Sequence, residues 1–181
     1  MLQSYKKSAI LGILFTIISY LCRCMEEIII KSTIQSAQLN ELTANEQQLV
    51  QLAITATDRS YAPYSHFHVG AAVLLENGEM LPGCNQENAA FPATLCAERT
   101  ALFAAGAQWP DVAVTTLAVA ARDTSGELTD EPVTPCGSCR QAIIETETRF
   151  KRKVKILLYG RNRIFVIDGI RHLMPLSFSD F

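Results

Sequence analysis

The sequence predicts an α/β fold: a single mixed β-sheet sandwiched by helices, three layers in all. Three observations predict it. Segments of helical and of strand periodicity are interspersed along the chain, in the order helix, two strands, helix, strand, helix, two strands, and this pattern places one sheet between helices. A length of 181 residues with 49% hydrophobic content supplies one substantial core, so one main domain is expected. No internal repeat or low-complexity segment divides it.

Residues 1–24 form a hydrophobic N-terminal extension in which Lys6 and Lys7 precede an apolar run from Ala9 to Cys22. The run resembles a signal peptide but no small-residue cleavage site follows it, and it is shorter than the roughly 20 residues of a membrane helix. Met25 follows at once, so the extension is read as dispensable, with a short membrane anchor as the rival reading. Residues 25–41 are a strand or linker, because Ile28, Ile29, Ile30 and Ile34 give Glu27 to Gln35 the β-branched content of an edge strand.

The main domain spans residues 42–181. Thr43 and Glu46 have the spacing of a capping box, and Leu49, Val50, Ala53, Ile54 and Thr57 recur at helical spacing, so a helix is expected to about Arg59. Pro63 disfavours helical geometry at Ala62 and stops it. Phe67 to Leu75 and Met80 to Cys84 read as a hairpin around Asn77-Gly78, a pair suited to a type I′ turn. Asn85 to Ala93 is a loop. A helix from Leu95 to about Ala105 is expected to end at Gly106 as a C-cap. Val112 to Ala121 reads as a buried strand and Arg122 to Thr134 as a polar loop. A helix starts near Pro135, since proline suits a first helical position. Val154 to Tyr159 and Arg163 to Ile167 are the last strands.

The chemistry concentrates between Thr94 and Gln141. Of six cysteines, Cys22, Cys24, Cys84, Cys96, Cys136 and Cys139, the last three stand one plus two at two helix starts. Cys136 and Cys139 are three apart, so one helical turn puts both sulfurs on one side. Three thiolates converge well on a tetrahedral zinc and leave its fourth position open, which marks a catalytic site. Water bound at such a position falls to a pKa of roughly 7. Glu98, two residues from Cys96, is placed to handle protons. Two other readings stay open. A fourth sulfur from Cys84 would make the zinc structural, and Pro135-Cys136-Gly137-Ser138-Cys139 also has the form of a redox dithiol.

Four motifs in register carry a family resemblance: Tyr64 to Ala72, Gly83 to Phe91, Cys96-Ala97-Glu98-Arg99, and Pro135 to Gln141. Over Leu42 to Phe178 the chain resembles the cytidine deaminases, in their small, three-cysteine, homotetrameric branch. The resemblance implies a cytidine-deaminase-like three-layer fold, with residues 42–181 as the catalytic domain. It implies one zinc per chain on Cys96, Cys136 and Cys139, with Glu98 as the catalytic acid and base. It assigns Asn85 and Glu87 to the ribose, Phe67 to the pyrimidine face, the Ala97 N–H to the base carbonyl, and Phe178 to a neighbouring subunit's site. Cys84 stays unligated. Three thiolates outweigh the charge of one zinc, so Arg99, and second to it Arg140, are candidates to donate hydrogen bonds to the sulfurs.

The expected substrate is therefore cytidine or deoxycytidine, released as uridine or deoxyuridine plus ammonia, in pyrimidine salvage. A deaminase of another aminopyrimidine, such as a nucleoside antibiotic, and a zinc-stabilised binding module without turnover are the alternatives. A net charge of −2 gives no overall attraction to polyanions. The one dense basic cluster, Arg149 to Lys153, reads as a solvated helix end, so no nucleic-acid partner is expected. His66, His68 and His172 are read as surface or wall residues. Reduced thiols fit the cytoplasm, and no stable membrane association is expected.

Overall fold

The computed structural model describes residues 27–179. The apolar run from Ala9 to Cys22, and Cys24 and Met25 after it, lie outside the described residues. The chain divides into two compact units, Met1–Ile30 and Lys31–Phe181, and the second contains every element below.

Its strands are β1 (Gln35–Ala37), β2 (His68–Leu75), β3 (Met80–Cys84), β4 (Val114–Arg122), β5 (Lys155–Tyr159) and β6 (Ile164–Asp168); its helices are α1 (Ala44–Ala56), α2 (Ala97–Gln108) and α3 (Gly137–Phe150). One mixed sheet runs β1-β6-β5-β4-β2-β3. The pair β4 and β5 is parallel, and the other neighbours are antiparallel. Since β2 opposes both β3 and β4, those two strands point the same way.

Alternation along the strands sorts the core into two layers. Ala72, Ala118, Ala120 and Leu157 pack with Leu49, Val50 and Ala53 of α1. Val73, Leu117, Val119, Ile156 and Leu158 pack on the other face with Ala101 and Leu102 of α2 and Ile143 of α3. This is the predicted three-layer arrangement, produced by the two-residue period of the strands. Two glycines set how near the helices come. A Cβ on Gly70 would lie 2.1 Å from the Ala53 carbonyl oxygen of α1, and one on Gly83 would lie 2.5 Å from Ala101 N and 2.7 Å from Ala97 O of α2.

The first helix follows its prediction closely. Glu46 N–H donates to Thr43 Oγ1 at 3.4 Å, Thr43 N–H donates to Glu46 Oε2 at 2.9 Å, and a 3-10 turn extends the helix over Thr57–Arg59. Glu46 also receives Lys155 Nζ at 2.7 Å, tying the helix start to the sheet.

Four local expectations are corrected. The isoleucine-rich stretch is not a strand: Ile28 to Ile34 take no strand, and only Gln35–Ala37 pairs, with Gln35 opposite Val166. Before that point Thr33 N–H donates to His172 Nδ1 instead, so β-branched content found no ladder to join. The Asn77-Gly78 turn is not type I′, which needs positive φ at both residues; Gly78 has φ 89° but Asn77 does not. Leu75 N–H bonds Glu79 O and Gly78 N–H bonds Leu75 O, a three-residue loop with glycine left-handed.

Gly106 does not cap α2, which continues to Gln108 and ends at Trp109. Pro110 sets the end, by excluding helical geometry from the residue before it. Pro135 is not the first helical residue of α3 either, because Cys136 is the N-cap and Gly137 opens the helix.

The basic cluster is occupied by local contacts. Arg149 donates to Pro110 O, Arg152 pairs with Glu76, Lys153 pairs with Asp168 at 2.8 Å, and Lys151 closes α3 in the left-handed region at φ 50°.

Gly83→Ala is expected to push α2 off β3 and lower unfolding free energy by about 1–3 kcal/mol. Thr43→Ala removes a cap distant from that contact and should cost about 1 kcal/mol. Chemical denaturation of both variants checks this, with near-ultraviolet dichroism altered in the first only.

Candidate metal and nucleoside site

Both α2 and α3 follow strands that point the same way, β3 and β4, and both pack on one face of the sheet. Their N-termini therefore lie at the same end, the carboxyl end of those strands, where open α/β sheets place their ligands. Cys96 is the N-cap of α2 and Cys136 the N-cap of α3, each with extended backbone, and Cys139 sits one turn into α3. Neither N-cap side chain bonds a backbone N–H. The sulfurs are thus left for another partner, while unpaired N–H groups of the first turns bring partial positive charge to the same place.

The three sulfurs lie within 4.8 Å of one another. Cys96 and Cys136 are 3.7 Å apart, and Cys136 and Cys139 are 3.5 Å apart. A tetrahedral zinc with thiolate bonds near 2.3 Å separates its sulfurs by about 3.8 Å, so the donor set fits that metal. Among the described residues it is the one such cluster of histidine, cysteine and carboxylate groups. Cys84 stands apart, with its thiol donating to Arg59 O at 3.2 Å.

Electrostatics match the geometry. The neighbouring Cys139 thiol, aided by Arg99, draws the Cys96 thiol down; the nearby Cys96 sulfur, with burial, pushes Cys139 up. Arg99 Nη2 lies 3.8 Å from Cys96 Sγ and 3.1 Å from Thr94 O, and Arg99 Nε is buried without a protein partner. Arg140 turns elsewhere: it donates to Pro135 O and to Leu173 O, both at 2.8 Å. It therefore braces the segment before Cys136 against the C-terminal tail and does not serve the sulfurs.

Glu98 is 5% exposed, and burial raises its carboxyl pKa above the ordinary value. A carboxyl that holds a proton more readily suits a group that must both take and give one.

A cavity of about 290 Å³ opens beside the sulfurs. Phe67, Asn85, Glu87, Cys96, Ala97, Glu98 and Cys136 line it together, so residues from four sequence segments meet. A larger cleft of about 520 Å³ lies between α2 and α3 and is lined by none of them.

Asn85 is buried, accepting Val69 N–H at 2.8 Å and donating to Phe67 O at 2.9 Å. One amide hydrogen and one lone pair remain for a ligand. Glu87 Oε2 accepts Tyr64 N–H at 2.9 Å and Ser65 N–H at 3.3 Å.

Ser65, Val119, Val133 and Thr134 also line the cavity. Ser65 falls inside the Tyr64 to Ala72 motif, but no local pattern marks any of the four as a wall residue, because a wall is made by tertiary proximity. Phe178 is 69% exposed, outside this cavity, and Gln141 Nε2 donates to its carbonyl at 2.8 Å. His66 is exposed, His68 contacts Ser60, His172 accepts from Thr33, and none approaches the sulfurs.

Residues 43–156 match the family described as the cytidine and deoxycytidylate deaminase zinc-binding region. The chain is 45% identical over 101 residues to a cytidine deaminase of Halalkalibacterium halodurans, covering 56% of this chain and 71% of that protein. It is 37% identical over 127 residues to one from Mycoplasma pneumoniae, covering 68% and 86%. Among solved structures, cytidine deaminase from Burkholderia pseudomallei superposes with a TM-score of 0.64 at 35% identity, over 76% of this chain and all 100% of that one. The Mycobacterium tuberculosis enzyme gives 0.58 at 29% identity, over 75% and 98%. With more than half of its length inside the family's defining region, and with that region holding all three clustered sulfurs, the chain belongs to the cytidine and deoxycytidylate deaminase family.

Proposed function

We propose that this protein is a zinc-dependent deaminase of free nucleosides, converting cytidine and deoxycytidine to uridine and deoxyuridine with release of ammonia, in pyrimidine salvage. One observation carries the reading: three sulfurs at zinc spacing share a cavity with a buried carboxylate, Glu98, and with Asn85 and Glu87. Cys96, Cys136 and Cys139 would hold one zinc, which supplies the acidity that makes water a nucleophile at neutral pH.

Glu98 takes one proton from the attacking water and gives it to the ring nitrogen as the oxygen bonds the carbon bearing the amine. It then takes the proton of the hydroxyl so added and gives it to the amino group, which leaves as ammonia when the carbon–nitrogen bond breaks. Its burial suits that exchange. The Ala97 N–H, first in α2 and without a helical partner, binds the base carbonyl. Phe67 lies on the pyrimidine face. Asn85 and Glu87 hold the sugar hydroxyls. Arg99 donates to Cys96 and offsets the negative charge of the thiolates.

The working enzyme is read as a homotetramer in which Phe178 of the partner subunit completes the pocket. Its exposure, and its place outside the cavity of its own chain, support that role. Residues 42–181 are the catalytic domain, residues 25–41 an added strand and linker, and residues 1–24 dispensable. The enzyme is read as cytoplasmic and without stable membrane association, because thiolate ligands persist best where thiols stay reduced; among the described residues no helix is long and apolar enough to cross a membrane.

Metal analysis should find one zinc per chain in the parent and in Cys84→Ala, and far less in Cys139→Ala. Zinc lost from Cys84→Ala would instead support a structural four-cysteine site. Glu98→Gln preserves shape but cannot carry protons, so it should keep zinc and lose about 10²–10⁴-fold in turnover, read by the ultraviolet loss of cytidine. Activity within tenfold of the parent would remove Glu98 from the mechanism.

A chain begun at Met25 is expected to be tetrameric and fully active by sedimentation and assay; export or membrane recovery of the full chain would overturn the compartment. Finally, cytidine and deoxycytidine should both turn over, while cytidine 3′-monophosphate and a cytosine-containing oligonucleotide should not. A 3′-phosphate removes the hydroxyl that Glu87 would bind and brings negative charge against its carboxylate. The basic cluster that would otherwise attract phosphates is tied into local contacts. Efficient conversion of the oligonucleotide would sink both the substrate class and the role of Glu87.

A further inference from the structure

The chain reverses sharply between α1 and β2. His66 N–H donates to Ala62 O at 3.1 Å, and His66 takes a left-handed φ of 53°. The reversal aims two successive amides, those of Tyr64 and Ser65, at one oxygen of Glu87, at 2.9 and 3.3 Å. It also lets Ser65 Oγ accept the N–H of Phe67 at 3.1 Å.

Ser65 thus touches both sides of the cavity wall. Its amide reaches the carboxylate of Glu87, and its hydroxyl oxygen fixes the backbone that presents Phe67. Ser65 foremost, with the amides of Tyr64 and Ser65, holds the Glu87 carboxyl below the ordinary range. Both amide bonds end on Oε2, so Oε1 accepts neither of them. Ser65 lines the cavity and is exposed, as are its neighbours Tyr64 and His66, so a missing hydroxyl there empties no core.

We propose that Ser65 is a positioning residue for nucleoside binding, joining the carboxylate of Glu87 and the backbone of Phe67 so that sugar and base are met in one fixed arrangement. This rests on the reading above in which Glu87 holds a sugar hydroxyl. Ser65 touches no reacting atom, so its effect falls on KM and not on kcat. Removing its hydroxyl loosens the Ser65 to Phe67 turn that aims the two amides at Glu87, and the ordering it had supplied must then accompany binding.

The test is steady-state kinetics of the full chain with cytidine and with its analogue lacking the 3′-hydroxyl, with zinc content and thermal midpoint recorded. The variants are Ser65→Ala, Ser65→Thr, Glu87→Gln and the double variant S65A/E87Q. Ser65→Ala is expected to raise KM for cytidine up to about tenfold, the upper end of the net scale of one hydrogen bond. Its kcat should stay within about twofold, with zinc and midpoint unchanged. Ser65→Thr keeps the hydroxyl and should recover most of the loss.

The penalty should shrink to near nothing with the analogue and in the Glu87→Gln background, since coupled residues do not add. An equal penalty for both substrates, additive losses in the double variant, an unchanged KM, or a fall confined to kcat would each overturn the proposal. If Ser65→Ala proves unstable, Ser65→Cys, of similar size but a weak donor, gives the same test. Should Glu87→Gln weaken both substrates equally, the sugar role of Glu87 fails. The link between Ser65 and Glu87 is then still judged by the double variant alone.

Discussion

Everything at this site depends on two helices beginning at the same place. Strands β3 and β4 run in one direction with β2 between them, and each is followed by a helix packed on the same face. That topology brings Cys96 and Cys136, forty residues apart in sequence, to a sulfur separation of 3.7 Å. The close approach of α2 to β3 at Gly83 holds the first helix to its distance, because interiors packed like crystals transmit any displacement of a backbone to its neighbours. Without it the sulfur of Cys96 would not keep its spacing to the other two.

Cysteine at an N-cap is an unusual choice, and its consequence is electrostatic. Serine or aspartate there would bond a backbone amide of the first turn and satisfy it. Cys96 and Cys136 do not, so the first turns keep unpaired N–H groups while the sulfurs face each other. The positive ends of two helices and the guanidinium of Arg99 then surround a cluster whose deprotonated form is strongly negative. Arg99 Nη2 stands 3.8 Å from Cys96 Sγ, while its Nε is buried with no protein partner. Glu98 lives in the same field with the opposite outcome, since its burial outweighs the nearby positive charge and raises its pKa.

The far wall of the cavity is a polar scaffold. Asn85 spends part of its amide on the backbone at Phe67 and Val69, and Glu87 receives amides from Tyr64 and Ser65. These bonds cross from the β3 exit loop to the start of β2, so loop residues acquire fixed positions from each other. A buried amide with its partners in place resists movement, since breaking one bond would leave a desolvated group unpaired.

Much of this was legible in sequence. The strand periods, the Thr43 and Glu46 box, the cysteine spacing and the four motifs determined the three-layer fold, the helices of the main domain and the pairing of Cys136 with Cys139, because each is set by residues near in sequence or by a spacing that one helical turn enforces. Cys96, forty residues from Cys136, was marked by its motif and joined to the pair by the topology. Where local signals competed with pairing, they misled. Ile28, Ile29 and Ile30 had the composition of a strand but no partner edge, Gly106 had the look of a cap until Pro110 moved the helix end, and Asn77-Gly78 took a longer loop than its dipeptide suggested. Only the tertiary structure decided which arginine faces the sulfurs, sending Arg99 to Cys96 and Arg140 to the carbonyl of Leu173, and only it joined Ser65 to Glu87. Both arginines follow a cysteine motif in much the same way along the chain. Their side chains are long enough to reach several partners, and the packing of distant segments around each helix start determines which partner is within a hydrogen bond.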